Sequence, residues 1–129
     1  GPLAKIKNVR SIMKKTQKKL IKNNKRICLE GRDIASTILK KNPKYDIAFY
    51  FKCNLDLAAN RRWKDLKKTI SLKDVKKSLQ IRTKMDKKRS HSPLKKVKDA
   101  ILIRTDILNK SQMIKKMSKV IDKRLTNFF

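Results

Sequence analysis

A short junction in the sequence, CLEGRDIAS from Cys28 to Ser36, carries charged side chains of both signs beside a glycine. Gly31 follows a short apolar run and lets the backbone turn, and Arg32 and Asp33 come directly after it. An arginine at such a corner can bind phosphate through paired hydrogen bonds, and an aspartate can accept from an amino group or a ribose hydroxyl. A salt bridge that ends a strand would use the same residues, so the junction alone leaves both interpretations open.

A second group of charges has helical spacing. Arg82, Asp86 and Arg89 are related as i, i+4 and i+7, which would place all three on one face of a helix. Two guanidiniums with a carboxylate between them could hold a phosphate and a sugar hydroxyl together. The alternative is an ordinary ion pair within the helix, which would stabilise it by about 0.2–0.5 kcal/mol.

Four further residues are weaker candidates. Arg61 and Arg62 are adjacent on a predicted helix and must point in different directions, so either could face an anion or solvent. Arg10 is one arginine among the lysines of the first predicted helix. His91, the only histidine, lies in a loop with no acid spaced for a triad, and we interpret it as a loop residue.

Short apolar runs that alternate with amphipathic segments would position these side chains. The runs at 26–29, 47–51 and 100–105 predict buried strands. The amphipathic segments predict a first helix at 6–21, a short helix at 34–40, a helix after Asn54, a helix opened by the Ser71 capping box that ends near Lys88, and a last helix after Asn109. The apolar positions of the first helix recur at helical spacing; they are Ile6, Val9, Met13, Leu20 and Ile21. The last helix is expected to bury one stripe, Ile114, Met117, Ile121 and Leu125. This order predicts an α/β fold with parallel strands, whose ligands bind beyond the carboxyl ends of the strands.

The composition limits the class of protein. With 129 residues, the chain has the length of one domain. Its net charge of +28 attracts nucleic acid, but the basic residues are spread along the whole chain and only nine of the 38 are arginine. A solvated lysine surface explains the same composition, so we expect nucleic acid to bind only non-specifically, at low salt. The alternative is a basic RNA-binding module without catalysis.

The cysteines and the apolar runs bear on the cellular compartment. Cys28 and Cys53 each lie in an apolar run without zinc-ligand spacing, so we expect buried thiols in a reducing compartment and no metal site. No apolar run has the length needed to cross a bilayer, and no signal-peptide pattern opens the chain. The sequence therefore predicts a cytoplasmic protein without a membrane partner.

Five stretches taken together resemble the carboxyl-terminal part of bacterial cytidylate kinase, in family order and spacing. They are VRSIMKKTQKKLI, LEGRDIAS, LAANRRWKDL, IRTKMDKKRSHSPL and DAILIRTDIL. The resemblance implies a partial P-loop nucleoside monophosphate kinase fold, in which ATP with Mg²⁺ phosphorylates CMP or dCMP. It further implies that Arg10 and Asp33 recognise cytosine, that Arg32 and Arg89 hold the CMP phosphate, and that Arg82 and Asp86 contact the ribose and its surroundings. Arg61 and Arg62 would lie in a mobile lid, at about 55–70, that closes over the ATP phosphates, and with Arg89 they would be the catalytic residues.

The chain departs from the family pattern in its glycines. Its only two, Gly1 and Gly31, cannot form the Gly-rich loop that cradles ATP phosphates. The family serine that helps to read cytosine aligns with Gly1. Ala35 replaces a usual glycine, and Arg104 follows the last strand, where an acid is common. We therefore expect a truncated family member with little or no kinase activity alone, which is marginally stable or prone to aggregation. An alternative is a complementing subunit whose partner chain supplies the phosphate loop.

Overall fold

The computed structural model describes residues 3, 6–90 and 93–127. His91 and Gly1 lie outside the described residues, and with them the expectations attached to those positions. Contacts along the chain define two compact units, Gly1–Asp46 with Lys84–Val97 and Ile47–Thr83 with Lys98–Phe129. The expectation of one domain stays a prediction.

The first unit is built on helix α1, Lys7–Lys22, which confirms the predicted first helix. Ile21 is buried near the end of α1 and packs with Ile38 and Leu39 in a small core. Of the five apolar positions at helical spacing, Ile21 is buried and the other four are not; they are Ile6, Val9, Met13 and Leu20.

The strand predicted at 26–29 is wrong. These residues form no strand, Ile27 is 44% exposed, and Cys28 is exposed rather than buried. A strand needs a hydrogen-bonded neighbour, and three apolar residues after Arg26 do not provide one. The short helix predicted at 34–40 is present as one π-helical segment, Ile34–Ile38. Its wider i to i+5 turn is held by Leu39 N–H, which donates to the Ile34 carbonyl at 2.8 Å.

The second unit contains a parallel two-stranded sheet. Strands β1, Phe49–Lys52, and β2, Ile101–Arg104, pair in register, Phe49 with Ile101 and Lys52 with Arg104. The α/β class with parallel strands flanked by helices is confirmed. The intervening helices are α2, Leu55–Asp65, which Asn54 caps by accepting from Leu57 N–H, and α3, Leu72–Lys88. Helix α3 begins in the second unit and ends in the first.

The core of the second unit is small. Ile103, Val75 and Ala59 are at most 2% exposed. Helix α4, Lys110–Thr126, opens with the predicted capping box at Asn109, but its predicted buried stripe is wrong. None of the four stripe residues is buried; they are Ile114, Met117, Ile121 and Leu125. Two strands present too little surface to cover a whole helix face. The predicted burial of Cys53 is also wrong, because this side chain is only half-buried. Among the described residues, no helix is long and apolar enough to span a bilayer.

Candidate functional site

The first contact of the candidate site joins α1 to the junction after Gly31. Arg10 Nη2 donates to Asp33 Oδ2 at 2.6 Å, and both side chains are mostly buried. The Asp33 carbonyl accepts from Thr37 N–H at 2.9 Å, which fixes the aspartate at the start of the π-helical segment. Residues 23 positions apart are thus held as a charge-assisted pair.

The second contact is a carboxylate between two guanidiniums. Asp86 Oδ2 lies 2.7 Å from Arg32 Nη1, and Asp86 Oδ1 lies 3.2 Å from Arg89 Nη2. The Asp86 side chain is only 15% exposed. The Asp86 carbonyl also accepts from Leu94 N–H at 2.8 Å, which ties the segment after α3 to the last turn of that helix.

Two buried atoms of this cluster retain hydrogen-bonding capacity. Asp86 Oδ2 and Arg89 Nη2 are inaccessible to solvent and make no hydrogen bond of good geometry with a described residue, although both lie at ion-pair distance. Buried polar atoms without a hydrogen bond are uncommon in folded proteins. A ligand could reach either atom only if a neighbouring side chain moved, because neither atom is accessible to solvent.

Five of the sequence-predicted residues come together in the first unit; they are Arg10, Arg32, Asp33, Asp86 and Arg89. Arg61, Arg62 and Arg82 belong to the second unit. Arg62 and Arg82 are exposed, and neither forms an ion pair with a described residue.

Arg61 has partners at the carboxyl ends of the strands. Its Nη2 donates to the Thr105 carbonyl at 2.8 Å, and its Nη1 donates to Thr105 Oγ1 at 3.3 Å. Nη1 also lies 3.8 Å from Cys53 Sγ. This guanidinium therefore links α2 to the residue that follows β2.

Sequence reasoning missed a charged pair in that unit. Arg104 donates to Asp106 through Nε at 2.8 Å and through Nη2 at 2.7 Å, and Asp106 also accepts from Asn54 N–H at 3.2 Å. The Arg104 hydrogen bonds, reinforced by its charge and by Asn54, lower the pKa of Asp106 to about 2. The same pairing raises the pKa of Arg104. The signal in the sequence was an arginine at the end of a strand and an aspartate two residues later.

The described residues contain no group of three or more His, Cys, Asp and Glu side chains placed to hold a metal ion. The polar groups brought together in the first unit are guanidiniums and carboxylates, which suit phosphate, sugar hydroxyls and a nucleobase edge. Their chemistry is that of binding and orienting a polar ligand.

Comparison with known proteins gives a consistent family. The family model described as cytidylate kinase matches residues 2–123. The cytidylate kinase of Thermosipho melanesiensis is 33% identical over 119 residues, covering 90% of this chain and 53% of that protein. The cytidylate kinase of Rickettsia felis is 32% identical over 127 residues, covering 96% of this chain and 57% of that protein. The chain spans about half the length of these curated relatives, and the extent of the family match shows that it belongs to the cytidylate kinase family.

Proposed function

We propose that this chain provides the CMP-binding part of a nucleoside monophosphate kinase that transfers a phosphoryl group from ATP to CMP or dCMP. The observation that carries the proposal is the Asp86 carboxylate at ion-pair distance from both Arg32 and Arg89. Two guanidiniums and one carboxylate leave a net positive charge in a mostly buried cluster. Such a cluster attracts a phosphate dianion more strongly than a solvated lysine does, because the local dielectric constant is lower.

Arg32 and Arg89 are proposed to bind the CMP phosphate. Arg89 Nη2 is buried and has no hydrogen-bond acceptor of good geometry among the described residues, and phosphate oxygens would supply one after a side-chain movement that uncovers it. Asp86 keeps both arginines oriented before the nucleotide arrives, and its carboxylate would accept from a ribose hydroxyl once the side chains that cover it move. Arg82, four residues earlier on α3, is proposed to contact the same ribose region.

Arg10 and Asp33 are proposed to read the cytosine edge. The cytosine amino group donates, while its ring nitrogen and carbonyl oxygen accept, so a carboxylate beside a guanidinium is complementary to that edge. Uracil presents a carbonyl where cytosine has the amino group, which would face Asp33 with a second acceptor. The pair would therefore favour CMP or dCMP over UMP by leaving the wrong base with an unpaired group.

Phosphoryl transfer needs positioning and charge stabilisation more than covalent chemistry, which suits a site made of arginines. When bound, ATP supplies the phosphoryl group, and Mg²⁺ held mainly by phosphate oxygens and water offsets its charge. Arg89 would orient the accepting phosphate, and the exposed Arg62 of the proposed lid would reach the transferred group. Arg61 could join it only by exchanging its bonds to Thr105.

The proposed lid comprises α2 and the turn after it, about 55–70. Because these 129 residues contain no Gly-rich phosphate loop, we propose that the chain alone transfers little or no phosphoryl group. The loop would come from residues outside this chain, for example from a separate polypeptide. A coupled assay that detected CMP phosphorylation by the pure chain at the rate of a complete kinase would contradict this part.

Calorimetric titration of the chain with CMP tests the nucleotide half-site. Saturable binding should be lost in Arg89→Ala and in Asp33→Ala, because each removes a proposed direct contact. Arg26→Ala is the matched control, since Arg26 is exposed in the same unit and forms no ion pair with a described residue. Absence of CMP binding, or equal loss in the control, would contradict the proposal, and single-stranded RNA as competitor would reveal binding through general charge.

A further inference from the structure

A separate basic cleft lies along α1 in the first unit. It has a volume of about 360 Å³ and lies between one face of α1, the π-helical segment and Ser90. The polar residues that line it are Lys7, Arg10, Ser11, Lys14, Thr37 and Ser90. Among the described residues, the lining thus combines three cations and three hydroxyl groups and includes no carboxylate.

The two lysines carry most of the uncompensated charge of the cleft. Arg10 is held by Asp33, whereas neither Lys7 nor Lys14 forms an ion pair with a described residue. Lys14 is half-buried, so its charge is less solvated than that of the many exposed lysines. Lys7 and Lys14 are two helical turns apart, about 10 Å along the axis, on the face that also carries Arg10.

This spacing decides the class of anion. A single phosphate cannot bridge two ammonium groups attached 10 Å apart without drawing both long side chains together, at a cost in rotamer entropy. A chain of two or three phosphoryl groups presents charge over a longer span and can be contacted by both. The hydroxyls of Ser11, Thr37 and Ser90 can donate to its oxygens.

We propose that this cleft binds a phosphoanhydride chain, a di- or triphosphate, at a site distinct from the Arg32, Asp86 and Arg89 cluster. Arg10 belongs to the cleft and to the pair with Asp33, so an anion there competes with that carboxylate for the guanidinium. Occupation of the cleft therefore weakens base recognition by Arg10 and Asp33. This regulatory consequence rests on the proposed function, whereas the anion site itself does not.

The test is titration of the full chain with inorganic tripolyphosphate, ATP and orthophosphate at 0.15 M salt, without CMP. The variant Lys7→Gln/Lys14→Gln should bind tripolyphosphate about tenfold more weakly, since two charge contacts are lost. Lys15→Gln/Lys19→Gln is the control. It removes the same charge from exposed positions of the same helix that do not line the cleft, and it should bind as the parent does.

Each outcome bears on the cleft. A tenfold loss of tripolyphosphate affinity that is confined to the Lys7→Gln/Lys14→Gln variant supports the site. If the affinity for ATP falls by the same factor, a nucleoside triphosphate is a source of the ligand. If only the affinity for tripolyphosphate falls, the source is inorganic. Equal loss in both double variants means attraction by general charge and overturns the proposal, as does the absence of saturable tripolyphosphate binding. Circular dichroism of the variants confirms that α1 remains helical. Failure of CMP titration with a positive tripolyphosphate result would reject the proposed function and leave this site standing.

Discussion

Asp86 is the residue whose neutralisation tests the arginine cluster most directly. The substitution Asp86→Asn keeps the shape of the side chain but removes its charge, so Arg32 and Arg89 lose their shared partner. The two guanidiniums then lie close together in a partly dehydrated site with nothing to offset their repulsion. We expect the free energy of unfolding to fall.

The expected size follows from burial. If both ion pairs were fully exposed, their loss would cost about 1 kcal/mol in total. Loss of one partner from a fully buried pair costs about 3–5 kcal/mol, because a charge is left dehydrated and unpaired. The Asp86 side chain is 15% exposed and those of Arg32 and Arg89 are 34% and 18% exposed, so the cluster lies between these limits. We expect a loss of about 2 kcal/mol.

Urea unfolding followed by hydrogen exchange at the end of α3 and at the Gly31 junction would measure this loss. Glu30→Gln is the matched control, because it neutralises an exposed carboxylate beside the same junction that forms no ion pair with a described residue. Phosphate should restore more stability to Asp86→Asn than to the parent chain, since it would take the place of the missing carboxylate. If Asp86→Asn destabilises the chain no more than Glu30→Gln, or if phosphate restores nothing, the two arginines do not form an anion site.

Two further predictions concern acid stability and the junction. The pKa of Asp106 falls from 3.8 to about 2 on folding, so its contribution to stability is complete above pH 4 and disappears as the pH falls toward 2. Acid unfolding of Asp106→Asn should accordingly be less steep between pH 4 and 2, and an unchanged slope would show that Arg104 does not hold the carboxylate in solution. A methyl group at Gly31 would approach Ile34 Cγ1 to 2.8 Å, so Gly31→Ala should destabilise the first unit by about 1 kcal/mol. Adding Ile34→Ala should cost less than the sum of the two single changes in a thermal unfolding cycle, and simple additivity would exclude that contact.

The sequence predicted most elements correctly because their signals were local. Helical spacing located α1, cap residues located the starts of α2 and α4, and apolar runs located β1 and β2. Burial was predicted poorly, because it depends on what covers a face and not on the face itself. The run at 26–29 shows the same limit, since strand formation requires a partner that its own residues do not specify.

The candidate site was predictable in composition but only partly in geometry. The spacing of Asp86 and Arg89 placed them on one helical face, yet the contact with Arg32 joins segments more than fifty residues apart. The pairing of Arg10 with Asp33 was likewise beyond the reach of helix periodicity. The Arg104 and Asp106 pair was missed because the contact depends on how the chain turns after β2, which the spacing of the two residues does not specify.

In a chain with only ten acidic residues, Asp33 and Asp86 order the arginines that they contact. A guanidinium on a long side chain samples many rotamers, and fixing it when a ligand binds costs entropy. Asp33 holds Arg10 and Asp86 holds both Arg32 and Arg89, so each of these arginines is ordered by a carboxylate in advance. Surface lysines of the same net charge attract an anion without such ordering. The carboxylates therefore lower the affinity for an anionic ligand, because they reduce the net positive charge. They also determine where and in which orientation that ligand is bound.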